Sequence, residues 1–255
     1  MPTSTSTSTS TSDSSQPTQQ PKSDTMPPPT SPSTIPLTLI LAATPSLGIG
    51  RAGGLPWPML KKEMAWFARV TKRVASSPTS PQSSSDVATA QKINAVIMGR
   101  KTWDSIPPRF RPLKDRLNVV VTRDVSGFRA ANNLSKDGDE VEGGKEGPVV
   151  VGSLPAAIEA LRSEGGRQVS RAWVIGGASI YAEALGLKET NRVVLTKIKR
   201  EYECDAFFAV DLEGGEGGWR RVGRRALEEW VGEEVPEGEV VEGDVAFEFC
   251  LFERD

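Results

Sequence analysis

The sequence predicts a single α/β domain with a mixed, mostly parallel central sheet, flanked by helices and completed by an antiparallel C-terminal edge. Short apolar runs alternate with helical segments from residue 35 to residue 199, which is typical of parallel strands joined by helices. Two strand-like segments then close the chain and suit antiparallel edge positions. The roughly 220 residues after the N-terminal tail suit one large domain better than two. We therefore expect one domain over 35–255.

The first predicted strand and the first predicted helix lie on either side of a glycine-rich loop. The run IPLTLILAA (35–43) is continuously apolar, as expected of a strand buried in the middle of a sheet. A helix is expected over 59–74, where apolar residues recur at helical spacing and form one face. These residues are Met59, Leu60, Met64, Phe67, Val70 and Val74.

The later strands are short apolar runs, expected at 93–99, 116–122, 147–152, 171–177 and 191–199. Helices are expected from about Arg100, over 154–166 and over 178–186. The helix at 154–166 has a proline in its first turn and glycines at its end, which are common helix boundaries. The segments WRRVGRRALEEW (219–230) and VAFEFCLFERD (245–255) are interpreted as the two terminal strands.

Three segments are too polar to belong to a core. Residues 1–34 are mostly Ser, Thr, Pro and Gln and cannot bury enough surface to offset their ordering entropy, so a disordered tail is expected. This tail has neither the apolar run of a secretory signal nor the arginines of a mitochondrial presequence. Segments 76–91 and 135–147 are interpreted as surface insertions with no assigned role. We expect a cytoplasmic protein, with a mitochondrial or nuclear pool as the alternative.

The composition argues against several classes of function. A net charge of −2 gives no reason to expect a nucleic acid or an anionic membrane as a partner, and no apolar run approaches the roughly 18 residues of a membrane span. The cysteines Cys204 and Cys250 are too few for a disulfide framework and suit free thiols. The absence of histidine excludes Ser-His-Asp and Cys-His catalysis and most zinc sites, so no metal is expected. Catalysis would have to use carboxylates, hydroxyls, water or a cofactor.

The string GIGRAG (48–53) has the G-x-G-x-x-G spacing of a dinucleotide-binding turn. That motif requires a helix directly after the glycines, whereas Pro56 and Pro58 prevent helical hydrogen bonding and favour extended backbone before them. No helix can therefore begin before about Met59. We interpret the glycines as a mobile loop that ends in the rigid sequence Leu55-Pro56-Trp57-Pro58.

Three strand ends carry groups that suit phosphate. Ligands of such sheets bind beyond the carboxyl ends of the strands, where helix N-termini and arginines favour anions. Three such ends suit a dinucleotide, and the cations Lys101 and Arg123 would suit a 2′-phosphate, so NADP(H) is expected rather than NAD. The residues concerned are Arg100, Lys101, Thr102, Thr122, Arg123, Gly176, Gly177, Ala178 and Ser179.

Glu63 is the carboxylate that stands out in the predicted helix at 59–74. It lies beside the apolar face, with Leu60, Met64 and Phe67 on neighbouring turns. Periodicity alone leaves two interpretations open. Glu63 is either a solvated surface residue, as most helical glutamates are, or a buried carboxylate that faces a ligand with its own hydrogen-bond donors.

Five ordered blocks resemble the dihydrofolate reductase family: GIGRAGGLPWPMLKKEMAWF, VIMGRKTWDSIP, RPLKDRLNVVVTR, WVIGGASIYAEAL and VVLTKI. The resemblance covers about residues 37–252 apart from the insertions. It implies a dihydrofolate reductase-like fold and an NADPH-dependent oxidoreductase of one-carbon metabolism that is sensitive to methotrexate. The expected reaction reduces 7,8-dihydrofolate to 5,6,7,8-tetrahydrofolate by hydride transfer to C6 and water-mediated protonation of N5. A monomer with a small-molecule substrate is expected.

The resemblance also implies roles for individual residues. Glu63 would bind the pterin 2-amino group and N3, Thr196 would support it, and Trp57 would close the pocket over the water. The substrate would be bound by Ile40, Leu41, Ala42, Leu55, Glu63, Met64, Phe67, Ser105, Ile106, Leu113, Arg116, Ile175, Tyr181 and Thr196, with Arg116 on the α-carboxylate. The cofactor would be bound by Ala42, Ala43, Ile49, Gly50, Gly53, Gly54, Arg100, Lys101, Thr102, Thr122, Arg123, Ser153, Gly176, Gly177, Ala178, Ser179 and Ile180. The glycines of the mobile loop would form a lid over the nicotinamide, and Gly176-Gly177 would be a cis pair.

Two alternatives remain open at this point. The first is a reductase of the related riboflavin-pathway fold that acts on a phosphorylated ribosylaminopyrimidine; it does not explain Leu55-Pro56-Trp57 together with Glu63 and Arg116. The second is a protein that binds NADPH or folate without turnover. The presence of the pocket carboxylate, the lid and the phosphate contacts argues against this second alternative.

Overall fold

The computed structural model describes residues 35–74, 92–134, 147–163 and 168–255. The strands of these residues are β1 (Leu37–Ala43), β2 (Gly48–Gly50), β3 (Lys92–Gly99), β4 (Arg116–Val121), β5 (Val149–Val151), β6 (Gln168–Val174), β7 (Thr190–Ile198), β8 (Ala206–Phe207), β9 (Arg220–Val222), β10 (Val240–Glu242) and β11 (Val245–Glu253). The helices are α1 (Lys61–Lys72), α2 (Arg100–Ser105), α3 (Val125–Ala131), α4 (Leu154–Ser163), α5 (Ala178–Leu185) and α6 (Arg224–Val231). The predicted tail at 1–34 and insertion at 76–91 lie outside the described residues, as does the insertion at 135–147 apart from Gly147.

The central sheet has the strand order β10-β11-β7-β1-β6-β3-β4-β5, with β9 also paired to β11. All pairs from β7 to β5 are parallel. The strand β11 runs antiparallel to β7, β9 and β10. The predicted fold class, a mostly parallel sheet with an antiparallel C-terminal edge, is confirmed. The outermost strands of that edge are the short β9 and β10, which the sequence interpretation did not separate.

The strands β1 and β6 part at the carboxyl edge of the sheet, and we call this parting the crevice. The strand β1 pairs with β7 along its whole length, up to Ala43 opposite Lys197. Its pairing with β6 ends at Leu39 opposite Val174. From Ile40 to Ala43, therefore, one edge of β1 has no strand partner among the described residues. Such a parting of neighbouring strands is where open α/β sheets bind their ligands.

Alternation along the strands divides the core into two clusters, one on each face of the sheet. Odd-numbered residues of β1, such as Leu39 and Leu41, pack with α4 and α5. Ile40 of β1 packs instead with α1, α2, α3 and α6. The sheet is thus covered on both sides, as a parallel sheet requires.

The interpretation of 219–230 as one strand is wrong. The strand β9 has three residues, and α6 begins directly after Gly223. The signal was present in the sequence: Leu227 and Val231 are one helical turn apart and both are buried, and Gly232 ends the helix in the left-handed region at φ +74. The segment of α6 is also rich in Arg, Ala, Leu and Glu, which are strong helix formers, and the strand interpretation gave this too little weight.

The apolar face predicted for 59–74 is also partly wrong. The helix α1 buries Glu63, Trp66, Val70 and Thr71, whereas Met59 is 77% exposed and Met64 is 46% exposed. Counting apolar residues alone therefore placed the centre of the buried face away from Glu63. No helix of the four described stretches is long and apolar enough to cross a membrane. Their acidic and cysteine side chains form no group of three or more that could hold a metal ion.

Candidate active site

Glu63 is buried at the crevice, with 7% of its surface exposed. The Thr196 hydroxyl donates a 3.1 Å hydrogen bond to Glu63 Oε1. Burial raises the pKa of Glu63 to about 7; the hydrogen bond from Thr196 opposes this rise, and the negative charge of Glu242 adds to it. Of the two interpretations that periodicity left open, the buried carboxylate is the one that the structure has. A carboxyl group whose pKa is raised toward neutrality suits proton transfer.

The inward direction of Glu63 follows from the packing of α1. Three residues after Glu63, Trp66 is 2% exposed and stacks on Phe249 of β11 with ring centroids 3.9 Å apart. Because residues three or four apart share one face of a helix, the burial of Trp66 turns Glu63 toward the sheet. Trp66 was absent from the predicted site, although its spacing of three from Glu63 could have indicated the shared face.

Several of the predicted substrate residues lie on the same face of the sheet as Glu63. The buried side chains Ile40 and Trp57 belong to this face. The half-buried residues packed against it are Ala42, Phe67, Ile106, Leu113 and Ile175. Trp57 is 5% exposed and meets Tyr202 edge to face at 6.2 Å. Together these residues form an apolar wall on the face of the sheet that α1 covers.

Four predicted substrate residues stand apart from this wall. Leu41 packs in the opposite core because side chains alternate along β1, so only its backbone can reach the crevice. Leu55 and Met64 are both about half exposed, as side chains at a mouth open to solvent would be. Ser105 is exposed, and its hydroxyl donates to Thr102 O at 2.7 Å.

The strand ends of β3 and β6 meet at Gly176 and Gly177, whose peptide bond is cis. Gly99 N donates to Gly176 O at 2.7 Å. Gly176 has φ +114, and a Cβ there would lie 3.3 Å from the ring of Tyr181. Tyr181 belongs to the core cluster on the opposite face of the sheet. Its hydroxyl donates a 2.8 Å hydrogen bond to Ile40 O. The positive φ and the nearby tyrosine ring disfavour a side chain at Gly176, whereas a Cβ at Gly177 would meet Thr102 Oγ1 at 3.4 Å, an ordinary contact distance.

The carboxyl edge of the sheet also carries cations that the protein leaves unpaired. Arg100, Lys101 and Arg123 are exposed, and none of them has an ion pair among the described residues, whereas most other exposed arginines do. They follow β3 and β4, which are adjacent strands. The other predicted cofactor residues near these strand ends are Thr102, Thr122, Ala178, Ser179 and Ile180, together with Ser153, whose hydroxyl accepts a 3.3 Å hydrogen bond from Ala156 N at the start of α4.

The glycine loop runs from β2 to Trp57 without a helix, as predicted. The strand β2 pairs with β8, and the backbones of Arg51 and Gly54 bond each other twice at 2.9 Å. Asp205 holds the tip of the loop, because its carboxylate accepts a 2.8 Å hydrogen bond from Ala52 N. Ile49, Gly50, Gly53 and Gly54 therefore lie on a loop that follows β1 and the crevice. Asp205 was not predicted, since only the pairing of β2 with β8 brings it here.

Arg116 is a buried cation whose charge is favoured by neighbouring Asp115, although the ion pair of Asp115 is with Lys72. It is 8% exposed and makes no ion pair with any residue that the structure describes. Its Nη1 donates to Thr71 Oγ1 at 2.7 Å and its Nε to Lys114 O at 3.1 Å, and burial lowers its pKa to about 10. These two hydrogen bonds leave further guanidinium N–H groups that could pair with an anion. Thr71, the residue that orients it, was missed at the sequence level.

The chain is similar to dihydrofolate reductases over most of its length. The family model described as dihydrofolate reductase matches residues 86–229. The enzyme of Pneumocystis carinii is 40% identical over 225 residues, which is 86% of this chain and 96% of the relative. The enzyme of Rattus norvegicus is 38% identical over 68% of this chain and 79% of the relative. Schistosoma mansoni dihydrofolate reductase has a similar structure, with a TM-score of 0.62 at 31% identity over 88% of this chain and 100% of that one. By sequence and by fold, the chain belongs to the dihydrofolate reductase family of oxidoreductases.

Proposed function

We propose that this protein reduces 7,8-dihydrofolate to 5,6,7,8-tetrahydrofolate with NADPH. The observation that carries the proposal is Glu63, a buried carboxylate with a pKa raised to about 7, paired with Thr196 of β7, which lies opposite Ala42 in the part of β1 that no longer pairs with β6. A carboxylate in such a place needs a ligand that brings hydrogen-bond donors. The pterin edge, with its 2-amino group and N3, offers two donors side by side.

Glu63 binds and orients the pterin, and Thr196 holds the carboxylate that does so. With both carboxylate oxygens directed to the 2-amino group and N3, Glu63 is turned away from N5, so a water molecule carries the proton there. Trp57, buried beside the crevice, closes the pocket over that water. Phe67, Ile106 and Leu113 supply an apolar slot for the benzoyl group, since they are half-buried on the same face.

Arg116 recognises the far end of the substrate. Its guanidinium is fixed by Thr71 and Lys114 O, which leaves its remaining donors for the α-carboxylate of the glutamyl group. The pairing would be bidentate, as guanidinium and carboxylate geometries match. The buried cation and the substrate anion then neutralise each other away from bulk water.

The residues at the carboxyl edge of the sheet fit NADPH. Gly176 and Gly177 carry no side chains where β3 and β6 end, so a flat ring could approach their backbone closely. The unpaired cations Arg100, Lys101 and Arg123 provide charge for the phosphates, including a 2′-phosphate. When bound, NADPH supplies the hydride that C6 of the pterin accepts. The proposal includes a monomeric, cytoplasmic protein with no nucleic acid or membrane partner.

The test is a spectrophotometric assay of purified protein with NADPH and dihydrofolate. We expect oxidation of NADPH that depends on dihydrofolate and stops with methotrexate. Binding of both ligands without turnover would instead favour a non-catalytic binding protein. Turnover of a phosphorylated ribosylaminopyrimidine, but not of dihydrofolate, would favour the riboflavin-pathway alternative.

A further inference from the structure

The first turn of α1 lacks a cap from its own sequence. The residue before the helix, Leu60, has an extended backbone and provides no side-chain hydrogen bond. The first amide hydrogens of a helix have no partner within it. In many helices a glutamate at the third position turns back to satisfy the N-cap amide. Glu63 occupies that third position, yet its carboxylate is bonded to Thr196 instead.

Glu242 satisfies the free amides from outside the helix. Its Oε1 accepts a 2.7 Å hydrogen bond from Lys61 N, and its Oε2 accepts a 2.8 Å hydrogen bond from Lys62 N. Both oxygens of one carboxylate are therefore used on the first two residues of α1. The backbone of the same strand also contributes, because Lys62 Nζ donates to Val241 O at 3.1 Å.

Glu242 and Thr196 reach α1 from connected strands. In the pairing of β10 with β11, Glu242 lies opposite Val245. In the pairing of β11 with β7, Phe249 lies opposite Thr196. One antiparallel unit thus supplies the group that holds the start of α1 and the hydroxyl that holds Glu63.

We infer that Glu242 is a positioning residue for Glu63: by accepting the amide hydrogens of Lys61 and Lys62, it fixes the first turn of α1, from which the Glu63 carboxylate faces the pterin. The effect of Glu242 on catalysis rests on the proposed function. Its contact with α1 does not, because the hydrogen bonds are those of the protein without ligand.

The charge of Glu242 also acts on Glu63. The positive end of a helix dipole favours an ionised group in the first turn, and Glu242 places a negative charge against that end. In the part of the chain that the structure describes, the ionisable groups that interact with Glu63 from other elements are Glu242 on β10 and Tyr181 on α5. Tyr181 is neutral at all relevant pH values, since burial raises its pKa further. Glu242 is therefore the charge that can be removed to test the coupling.

The experiment compares the variants Glu242→Gln and Glu242→Ala with the control Glu239→Gln. Glu239 also precedes β11, but its contact is a 3.5 Å ion pair with Lys199. Two quantities are measured: the pH dependence of kcat/KM, and the titration of the Glu63 carboxyl by ¹³C NMR in ligand-free protein, assigned with Glu63→Gln. Removal of the negative charge should lower the pH at which Glu63 titrates by about half a pH unit. The control should leave that pH unchanged.

The outcomes separate this inference from the proposed function. If both Glu242 variants lower the melting temperature but leave the titration of Glu63 and the pH profile unmoved, Glu242 is only a structural cap and the inference is overturned. A wild-type protein without turnover would overturn the proposed function, whereas the NMR titration would still report the coupling. Should Glu242→Ala fail to fold, Glu242→Gln decides, because its amide oxygen still accepts one hydrogen bond.

Discussion

The Thr196 hydroxyl on β7 donates a 3.1 Å hydrogen bond to the Glu63 carboxylate on α1, across 133 positions of sequence. The two residues are both buried and lie on the same face of the sheet. The hydrogen bond favours the ionised carboxylate, whereas burial favours the protonated one. Their balance leaves a group that titrates near neutral pH, and the chemistry proposed for the site depends on it.

Replacing Glu63 by Gln should lower turnover by about 100-fold or more at neutral pH. Gln keeps the shape of the side chain but cannot be an anion for the pterin edge. The affinity for NADPH should stay within about twofold of wild type, since the cofactor residues lie at other strand ends. Steady-state kinetics and fluorescence titration of NADPH measure the two effects, with the exposed helical residue Glu229→Gln as the matched control. An equal loss of cofactor affinity would mean that Glu63 is not in the pterin pocket.

The same variant should be more stable than the wild type at high pH. Because the folded-state pKa of Glu63 is raised from 4.5 to about 7, the folded protein holds its proton more tightly than the unfolded chain. The stability that this proton contributes is present below about pH 4.5 and is lost as the pH rises to about 7, a change on the order of 3 kcal/mol. Urea unfolding at a series of pH values would measure it. A difference between wild type and Glu63→Gln that does not vary with pH would contradict the raised pKa.

Thr196→Val should shift the titration of Glu63 to higher pH. Valine matches the shape of threonine but donates no hydrogen bond to the Glu63 carboxylate. The ionised form of Glu63 therefore loses stabilisation, and its pKa rises. The inflection in kcat/KM should rise by about one pH unit, opposite in sign to the shift expected for Glu242→Gln. Thr196→Ser keeps a hydroxyl and serves as the control, with an inflection near that of the wild type. A profile that stays in place in Thr196→Val would remove Thr196 from the proposed mechanism.

Arg116→Lys should weaken binding of the substrate's α-carboxylate without affecting binding of the pterin ring. Lysine keeps the charge but loses the planar fork that pairs with a carboxylate. The KM for dihydrofolate should rise about 30-fold, while a pterin substrate without the glutamyl group should be reduced as efficiently as by wild type. Lys114→Gln removes the neighbouring exposed cation and provides the control. Equal losses with both substrates would mean that Arg116 supports the fold of the pocket instead of the carboxylate.

Lys101→Gln and Arg123→Gln should each raise the KM for NADPH about tenfold and reduce the preference for NADPH over NADH. Both cations are exposed and without ion pairs among the described residues, so their removal should leave the melting temperature unchanged. Lys188→Gln removes an equally exposed cation that precedes β7, at the opposite edge of the sheet. Unaltered cofactor kinetics in both variants would place the phosphates elsewhere.

Local patterns were enough to predict most of the fold. Continuous apolar runs indicated β1, β3, β4 and β7, because a strand that is buried on both faces of the sheet has apolar residues at successive positions. Prolines after the glycine loop excluded a helix there. The segment 219–230 was misjudged since a three-residue strand and a two-turn helix are each too short to establish a period. The residues 1–34, 76–91 and most of 135–147 remain predictions.

The sequence by itself determined the family, the order of strands and helices, and the kinds of residue at each strand end. Only the tertiary structure decided which of those residues meet. Thr196 reaches Glu63, Glu242 reaches the start of α1, and Thr71 reaches Arg116 through contacts between segments that are 45 to 181 positions apart. Periodicity reports on neighbours within one helix or strand, whereas these contacts arise from the order in which strands join the sheet. The raised pKa of Glu63 has the same origin, because it depends on how completely the packed sheet and helix remove that carboxylate from water.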